Sequence, residues 1–229
     1  MLRLAALVIS VIGICHALGH PSLVVDQESL LAHHHHHHDY HCNGTQISEC
    51  GSNFLSALNI TGSEDLLEVA ADLNKVFATP GGYEAVCKAN FHLVKCLDWS
   101  GEFCLHDVHF IEREFGFDPY NATLFVTMVR QINYLCLPEN YKVISDNGEC
   151  IANTSASFVD DFTKCANEYS EKVKKHPHLT CFYTSQYLGC VSEPFRHQCS
   201  HQVGKLICQN AEIAFEDFLP YCHHQLFCF

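Results

Sequence analysis

Four cysteines near the C-terminus recur at one fixed interval, with eight residues between neighbours: Cys181, Cys190, Cys199 and Cys208. On an α-helix, nine residues turn the chain by about 900° and raise it by about 13.5 Å, so successive cysteines point to opposite sides. A disulfide requires Cα atoms within about 7 Å of each other. No neighbouring pair can therefore close within one helix, and each helix should be cross-linked to two different neighbours.

The dipeptide Glu193-Pro194 lies midway between the second and third of these cysteines. Proline disfavours helical geometry in the residue before it but is accepted at the first position of a helix. The sequence therefore predicts a helical hairpin with its turn at this dipeptide. Bonds from Cys190 to Cys199 and from Cys181 to Cys208 would suit a hairpin, but they require both cysteines of each helix on one face, which this spacing opposes.

Apolar residues at helical spacing predict further helices along the chain. Thr61-Gly62-Ser63-Glu64 has the form of a capping box, Asp146-Asn147-Gly148 predicts a turn, and strand signals are scarce. We therefore predict an all-α fold, a layered and disulfide-stapled helical bundle of about six to seven helices. Outside the hairpin, helices are expected at residues 66–77, 83–97, 122–137, 157–173 and 211–219.

The N-terminus has the form of a secretory signal peptide at residues 1–19, since Arg3 precedes an apolar run and small residues follow at Ala17 and Gly19. Cleavage there removes Cys15 and leaves fourteen of the fifteen cysteines. An even number of cysteines without a Cys-x-x-Cys metal motif predicts seven disulfides and a secreted, extracellular protein. The expected disulfide cysteines are Cys42, Cys50, Cys87, Cys96, Cys104, Cys136, Cys150, Cys165, Cys181, Cys190, Cys199, Cys208, Cys222 and Cys228.

Residues 42–229 are expected to form one cysteine-rich helical domain. Within it, nearly the same cysteine spacing occurs twice, about 94 residues apart: at Cys87, Cys96 and Cys104, and at Cys181, Cys190 and Cys199. A duplicated helical unit is one interpretation of this repeat.

The formal net charge of −13 argues against nucleic acid or an anionic membrane as the partner. No segment after the signal peptide is long and apolar enough to span a bilayer. Four Asn-x-Ser/Thr sequons predict N-glycosylation and mark their asparagines as surface positions. These asparagines are Asn43, Asn59, Asn121 and Asn153.

Residues 20–41 are expected to form a flexible, histidine-rich arm. Neutral imidazole binds Zn, Cu and Ni, and a run of histidines can present several nitrogens to one ion. Six consecutive histidines are also typical of an inserted purification tag, and that interpretation stays open. Cleavage after Ala17 would expose Leu18-Gly19-His20, a second candidate for Cu or Ni, whereas cleavage after Gly19 would remove it. The expected metal ligands of the arm are His33, His34, His35, His36, His37, His38 and His41.

Motifs of the Gly-x-Ser-x-Gly, His-Glu-x-x-His and phosphate-loop types do not occur, so we predict no enzyme, no catalytic residue and no required cofactor. Two histidine pairs have the spacing of one helical face: His197 with His201, and His106 with His109. Ordinary surface or core positions explain such pairs better than a metal or catalytic site.

Three cysteine groups follow one another in the chain: residues 87–104, the helix that ends at Cys136 with Cys150 and Cys165, and the series that begins at Cys181. This order resembles the secreted, all-helical, cysteine-rich families of unknown function in nematodes and other invertebrates, and more weakly the insect haemolymph glycoproteins. The resemblance covers residues 42–222 and implies a signal peptide, disulfides and glycans, with no catalytic residues. The histidine tract and Cys228 depart from the pattern.

We therefore expect a secreted, non-catalytic glycoprotein that binds an unknown extracellular protein or small ligand and whose arm binds Zn or Cu. Two alternatives stay open. One is a carrier of a small apolar ligand, since aromatic residues at helical spacing can line a cavity; the other is a secreted enzyme of unknown class. Metal binding should depend on residues 33–38, whereas binding of an apolar ligand should not.

Overall fold

The computed structural model describes residues 42–61, 65–77, 79 and 81–228. These residues form nine α-helices and two short 3-10 turns and contain no strand, which confirms the all-α prediction with more helices than expected. The helices are α1 (Gly44–Ala57), α2 (Leu66–Phe77), α3 (Gly82–Cys104), α4 (Val108–Phe115), α5 (Pro119–Leu135), α6 (Pro138–Ser157), α7 (Val159–Lys175), α8 (Thr180–Gln198) and α9 (His201–Phe218), with the 3-10 turns at Pro177–Leu179 and Pro220–Cys222.

Short polar side chains cap the N-termini of four helices. The first turn of a helix leaves its amide donors unpaired, and an oxygen of the preceding side chain can accept from one of them. At α5 the capping residue is followed by proline, whose fixed φ suits the first helical position. The side chains that accept a hydrogen bond from the N–H three residues ahead are those of Asn43, Asp107, Asp118 and Ser200.

Helices with a clear apolar stripe were predicted correctly. The helices expected at residues 66–77 and 122–137 are α2 and α5, and the helix expected at 83–97 is the first part of α3. α3 bends at Asp98, whose φ of 54° lies in the left-handed region, so the predicted end of that helix coincides with the bend. The capping box predicted before α2 lies largely outside the described residues, which omit residues 62–64.

The turn predicted at Asp146-Asn147-Gly148 is wrong, because these residues lie inside α6. The polar side chains that favour turns find partners within the helix. Lys142 donates to the Asp146 carboxylate at 2.8 Å, and the Asn147 amide donates to the Val143 carbonyl at 2.8 Å. These bonds within α6 let the helix continue through residues 146–148, where the side chains alone predicted a turn.

The predicted hairpin exists, but its turn is not at Glu193-Pro194. α8 continues through Pro194 to Gln198, and the turn lies at residues 199–200, where Ser200 caps α9. Phe195 is fully buried and stacks on Phe162 of α7, with ring centroids 5.7 Å apart. This packing offsets the hydrogen bond that proline cannot make. The helix expected at residues 211–219 is accordingly the second half of α9.

Seven disulfides join all fourteen cysteines that were predicted to pair, with Cα–Cα distances from 5.2 to 6.1 Å. No two of the regularly spaced cysteines bond to each other, as the helical geometry required. The two on α8 reach different neighbours, since Cys190 bonds to α7 and Cys181 to the C-terminal segment. The four bonds are Cys181–Cys222, Cys190–Cys165, Cys199–Cys150 and Cys208–Cys228.

One order of disulfide pairing occurs twice along the chain. In both sets of six cysteines the first pairs with the fifth, the second with the fourth and the third with the sixth. Six cysteines allow about 15 pairings, so a shared order is informative. The duplication of the unit itself stays a prediction. The first set is Cys42–Cys104, Cys50–Cys96 and Cys87–Cys136, and the second is Cys150–Cys199, Cys165–Cys190 and Cys181–Cys222.

The chain therefore consists of a first half, α1 to Cys136, and a second half, α6 to Cys228, and no disulfide joins them. In the first half α3 packs on α1 and α2, and α4 packs on α5. In the second half α8 packs on α7 and α9, and α6 packs on both α8 and α9. Helix α5 contacts α9 and helix α3 contacts α6 across the halves. None of the helices in the described part of the chain combines the length and hydropathy that a bilayer span requires.

The α8–α9 hairpin depends on a close approach at Gly204. A Cβ atom placed on this glycine would lie 2.9 Å from the Cα and 3.1 Å from the amide nitrogen of Arg196. Both partners are backbone atoms, so neither can move without displacing α8. Gly189, also inside the hairpin, has open space around its Cα instead.

We predict that Gly204→Ala destabilises the protein by about 1–3 kcal/mol, because the added methyl overlaps a helix backbone. Gly189→Ala is the matched control and should raise stability slightly, since alanine favours a helix by about 1 kcal/mol over glycine. Thermal unfolding followed by circular dichroism measures both. Equal shifts of the two midpoints would contradict the close approach.

Candidate functional site

The most concentrated set of polar contacts lies where α5 of the first half meets α9 of the second half. On α5, Arg130 donates to one carboxylate oxygen of Asp217, and the Thr127 hydroxyl donates to the other at 2.8 Å. A second carboxylate of α9, that of Glu216, lies 3.9 Å from the Arg130 guanidinium. Thr127 is fully buried and the Asp217 side chain is only 12% exposed, so this pairing is largely shielded from water. Charge-assisted bonds of this kind fix two helices in one orientation.

Two more bonds extend this contact toward the other end of α5. The buried Gln131 amide donates to the backbone carbonyl of Asn210 at 2.8 Å, and the Tyr134 hydroxyl donates to the Gln209 side chain at 2.9 Å. Residues three, four and seven apart share a helix face, so these side chains form one stripe on α5. We call this contact the polar seam; it consists of Thr127, Arg130, Gln131 and Tyr134 on α5 and Gln209, Asn210, Glu216 and Asp217 on α9.

A carboxylate and a histidine lie beside the seam at the C-terminal end of α9. The His223 ring nitrogen Nδ1 is 3.0 Å from the Glu216 carboxylate. Burial raises the pKa of Glu212, the nearby charge of Glu216 raises it further, and His223 opposes the rise. Even so, the described residues hold no group of three or more His, Cys, Asp or Glu side chains placed to bind a metal ion.

A partly buried chain of three polar side chains lies on the first-half side of Arg130. His106 lies in the turn between α3 and α4, with its Nε2 atom 3.5 Å from the Asn133 amide nitrogen. Asn133 in turn accepts a hydrogen bond from Asn90 of α3 at 2.9 Å. Burial lowers the pKa of His106, and the positive charge of Arg130 lowers it further. The fold therefore favours the neutral imidazole, which contacts an amide rather than a carboxylate.

The seam was not predicted from the sequence, because residues 122–137 were interpreted only as a helix with one apolar face. A signal was present: Thr127, Gln131 and Tyr134 recur at four and three residues on one edge of that stripe. Polar residues at helical spacing beside apolar ones predict a face that pairs with a polar partner. The partner on α9 could not be identified from its own sequence, because α9 was predicted to be a shorter helix.

The predicted metal ligands His33 to His38 and His41 lie outside the described residues, as does Leu18-Gly19-His20. The two histidine pairs do not form sites. His197 and His201 lie on different helices, α8 and α9, and His197 contacts the Glu193 carboxylate at 2.6 Å. His109 is exposed and lies 3.4 Å from Glu112, whereas His106 turns toward Asn133.

The four sequon asparagines differ in their surroundings. Asn43, Asn59 and Asn153 are exposed, and Asn121 is partly buried with its amide donating to Asp118 at 2.9 Å. Asn153 lines an open surface cavity of about 400 Å³ beside the Cys150–Cys199 disulfide. The cavity is open to solvent, and polar side chains such as Glu149, Asn153 and Gln198 line it, so it differs from the enclosed, apolar cavity expected of a carrier.

Side chains of the seam bond from α5 of the first half to α9 of the second, so the seam holds these two helices in one orientation. No protein-family model, no curated protein and no solved structure matches the chain, so the resemblance to cysteine-rich invertebrate families stays a prediction.

We predict that Asp217→Asn lowers the free energy of unfolding by about 1–3 kcal/mol, because Arg130 loses the nearer of its two carboxylate partners, the one that is largely buried. Asp146→Asn is the matched control, since it breaks an exposed ion pair with Lys142 within one helix. Chemical denaturation of both variants gives the comparison. If both variants changed the free energy of unfolding equally little, the seam would not stabilise the contact between the halves.

We also predict that His106 contributes to the loss of stability in mild acid. Its pKa in the folded protein is below the ordinary value, so the unfolded chain binds the proton more readily. The contribution of neutral His106 to the free energy of unfolding is complete above the ordinary pKa of about 6.5 and is lost as the pH falls through the pKa of the folded state. The variant His106→Asn should therefore lose less stability than the wild type between pH 7 and pH 5, measured by denaturant unfolding. His109→Asn changes an exposed histidine nearby and should keep the wild-type dependence.

Proposed function

We propose that this protein is a secreted, N-glycosylated, non-catalytic binding protein whose histidine-rich arm captures Zn or Cu. The observation that carries the proposal is the complete pairing of the fourteen cysteines from Cys42 to Cys228 in seven disulfides. Disulfides persist in oxidising compartments such as the extracellular space. A sequence that begins with the pattern of a signal peptide supports the same compartment.

The sequon positions support glycosylation of the folded scaffold. Asn43 caps α1 through its side-chain oxygen, while a glycan would be attached to the side-chain nitrogen. The cap and the glycan are therefore compatible. Asn59 follows the C-terminal end of α1 with a φ of 55°, a left-handed conformation that asparagine tolerates well, and it is exposed.

The arm would be tethered directly to this scaffold. His41 is next to Cys42, which bonds to Cys104 at the end of α3, and His38 is four residues before Cys42. A run of imidazoles on a chain anchored at one end can collect two or three nitrogens around one ion. The affinity should fall as the rings protonate near pH 6. An engineered origin of the tract would remove this part of the proposal and leave the scaffold unchanged.

We predict that the protein, purified without a metal resin, binds Zn through the arm. Replacing residues 33–38 with six serines should weaken Zn binding at least about tenfold, because the neutral imidazole ligands are removed. The matched control replaces His197 and His201 with serine, two histidines on the scaffold that do not share a helix, and it should bind like the wild type. Calorimetric titration with Zn measures all three proteins.

Native mass spectrometry of the deglycosylated protein from its own source complements the titration. A retained Zn or Cu ion that disappears with the tract supports capture by the arm. Zn binding that survives loss of the tract would contradict the proposal. A retained organic mass would instead favour the carrier.

A further inference from the structure

The end of α7 and the start of α8 form an exposed surface that is both basic and aromatic. Three lysines lie in the last turn of α7, although the whole chain carries a net charge of −13. Three large apolar side chains beside them are exposed: Leu179 by 38%, Phe182 by 57% and Tyr221 by 58%. We call this surface the basic–aromatic patch; it consists of Lys172, Lys174, Lys175, Leu179, Phe182 and Tyr221.

The apolar side chains are held at the surface by the fold. Thr180, Thr184 and Tyr187 face the core on one side of α8, so Phe182, half a turn away, points outward. The Cys181–Cys222 disulfide, with Cα atoms 5.2 Å apart, fastens Tyr221 beside the first turn of α8. The Ser185 hydroxyl donates to the Gln225 carbonyl at 3.3 Å and holds the C-terminal segment along the same helix.

One of the three lysines lies against an aromatic ring of α8. The Lys172 ammonium lies 5.9 Å from the centre of the Tyr183 ring, which itself lies 5.6 Å from the ring of Phe182. Lys172 and Lys175 have carboxylates one turn back on α7, those of Glu168 at 4.0 Å and Glu171 at 3.9 Å. All four of these side chains are well exposed, and such surface pairs are weak. Lysines at a helix C-terminus also complement the helix dipole, but that effect does not account for exposed phenylalanine and leucine.

We propose that the basic–aromatic patch binds the surface of a lipid bilayer that contains anionic phospholipids. Leu179, Phe182 and Tyr221 would enter the interfacial region, and the lysines would contact headgroup phosphates. Exposed apolar groups with a polar rim mark protein or membrane contacts, and aromatic rings beside lysines suit the boundary between headgroups and acyl chains. A two-fold dimer through the patch would set lysines against lysines, and a sulfated polysaccharide has no apolar layer for these side chains to enter.

The net charge of −13 does not prevent this contact. At about 0.15 M salt the screening length is about 8 Å, so remote carboxylates contribute little at the bilayer. The three lysines would lie within that distance together with Glu168 and Glu171, so three positive and two negative charges leave a local charge of +1. Each net positive charge near an anionic surface contributes a factor of about five in binding. The net charge therefore repels the protein from an anionic bilayer at long range, whereas the side chains of the patch determine whether it binds once it reaches the surface. The inference rests on the proposed non-catalytic binding role, but it does not involve the arm.

Vesicle co-sedimentation tests the inference with the full disulfide-bonded protein, at 0.15 M salt and with EDTA to prevent metal bridging by the arm. The probes are vesicles of phosphatidylcholine alone and with about 30% phosphatidylserine, a composition that supplies a negative surface potential. The wild type should bind the mixed vesicles about fivefold better than the neutral ones. Lys174→Glu with Lys175→Glu should reduce that binding more than about tenfold.

The apolar side chains have their own variant and control. Phe182→Ser should weaken binding to the mixed vesicles at least about fivefold, since an exposed ring no longer enters the interface. Phe91→Ser is the matched control, because Phe91 is 66% exposed on α3, away from the patch. Lys164→Glu, on an earlier turn of α7, is the matched control for the charge variant. Both controls should bind like the wild type, and circular dichroism checks that every variant is folded.

Three outcomes would overturn the inference. The wild type does not bind mixed vesicles; Phe182→Ser binds them as well as Phe91→Ser does; or the lysine variant loses binding to a sulfated polysaccharide while Phe182→Ser retains it, which indicates a polyanion site. Zn titration of the same variants separates this inference from the proposed metal capture, because the patch variants should bind Zn normally.

Discussion

The fold depends on how seven disulfides divide the chain. Each set of six cysteines forms the same pattern. One bond encloses a shorter one, and a third joins the central helix to a cysteine just after a later helix, Cys136 after α5 or Cys222 after α9. These bonds close loops of 25 to 62 residues. In the chain-entropy account each such closure restricts the unfolded chain by about 3–4 kcal/mol. The central helix of the first half, α3, carries three of the bonds, and that of the second half, α8, carries two. The other helices of each half are positioned against this central helix.

No disulfide joins the halves, and only the backbone at Leu137 connects them, so non-covalent contacts must orient one against the other. The polar seam is suited to this task because the bond from Arg130 to Asp217 and the bonds around it have directions as well as energies. Apolar packing alone tolerates several rotations of one helix on another. A shielded carboxylate that needs both Thr127 and Arg130 is satisfied in only one of them.

Prediction from sequence succeeded where a helix has one apolar face and failed where tertiary packing supplied the decisive energy. α2 and α5 have long apolar stripes, and their positions followed from periodicity. α6 buries only a few residues and contains Asp146-Asn147-Gly148, so the sequence alone predicted a turn where the helix continues. Pro194 lies inside α8 because Phe195 packs between helices and two disulfides, at Cys190 and Cys199, hold the segments on either side.

The amino-acid sequence by itself determined the helical class and the rule that neighbouring cysteines of the regular series cannot bond within one helix, because both follow from the geometry of a single helix. It also located the histidine tract and the sequons, which are local patterns. The disulfide partners, the α5–α9 pairing and the basic–aromatic patch were decided only by the tertiary structure. Each joins residues far apart in the chain, as Thr127 and Asp217 are, and their meeting depends on the packing of every helix between them.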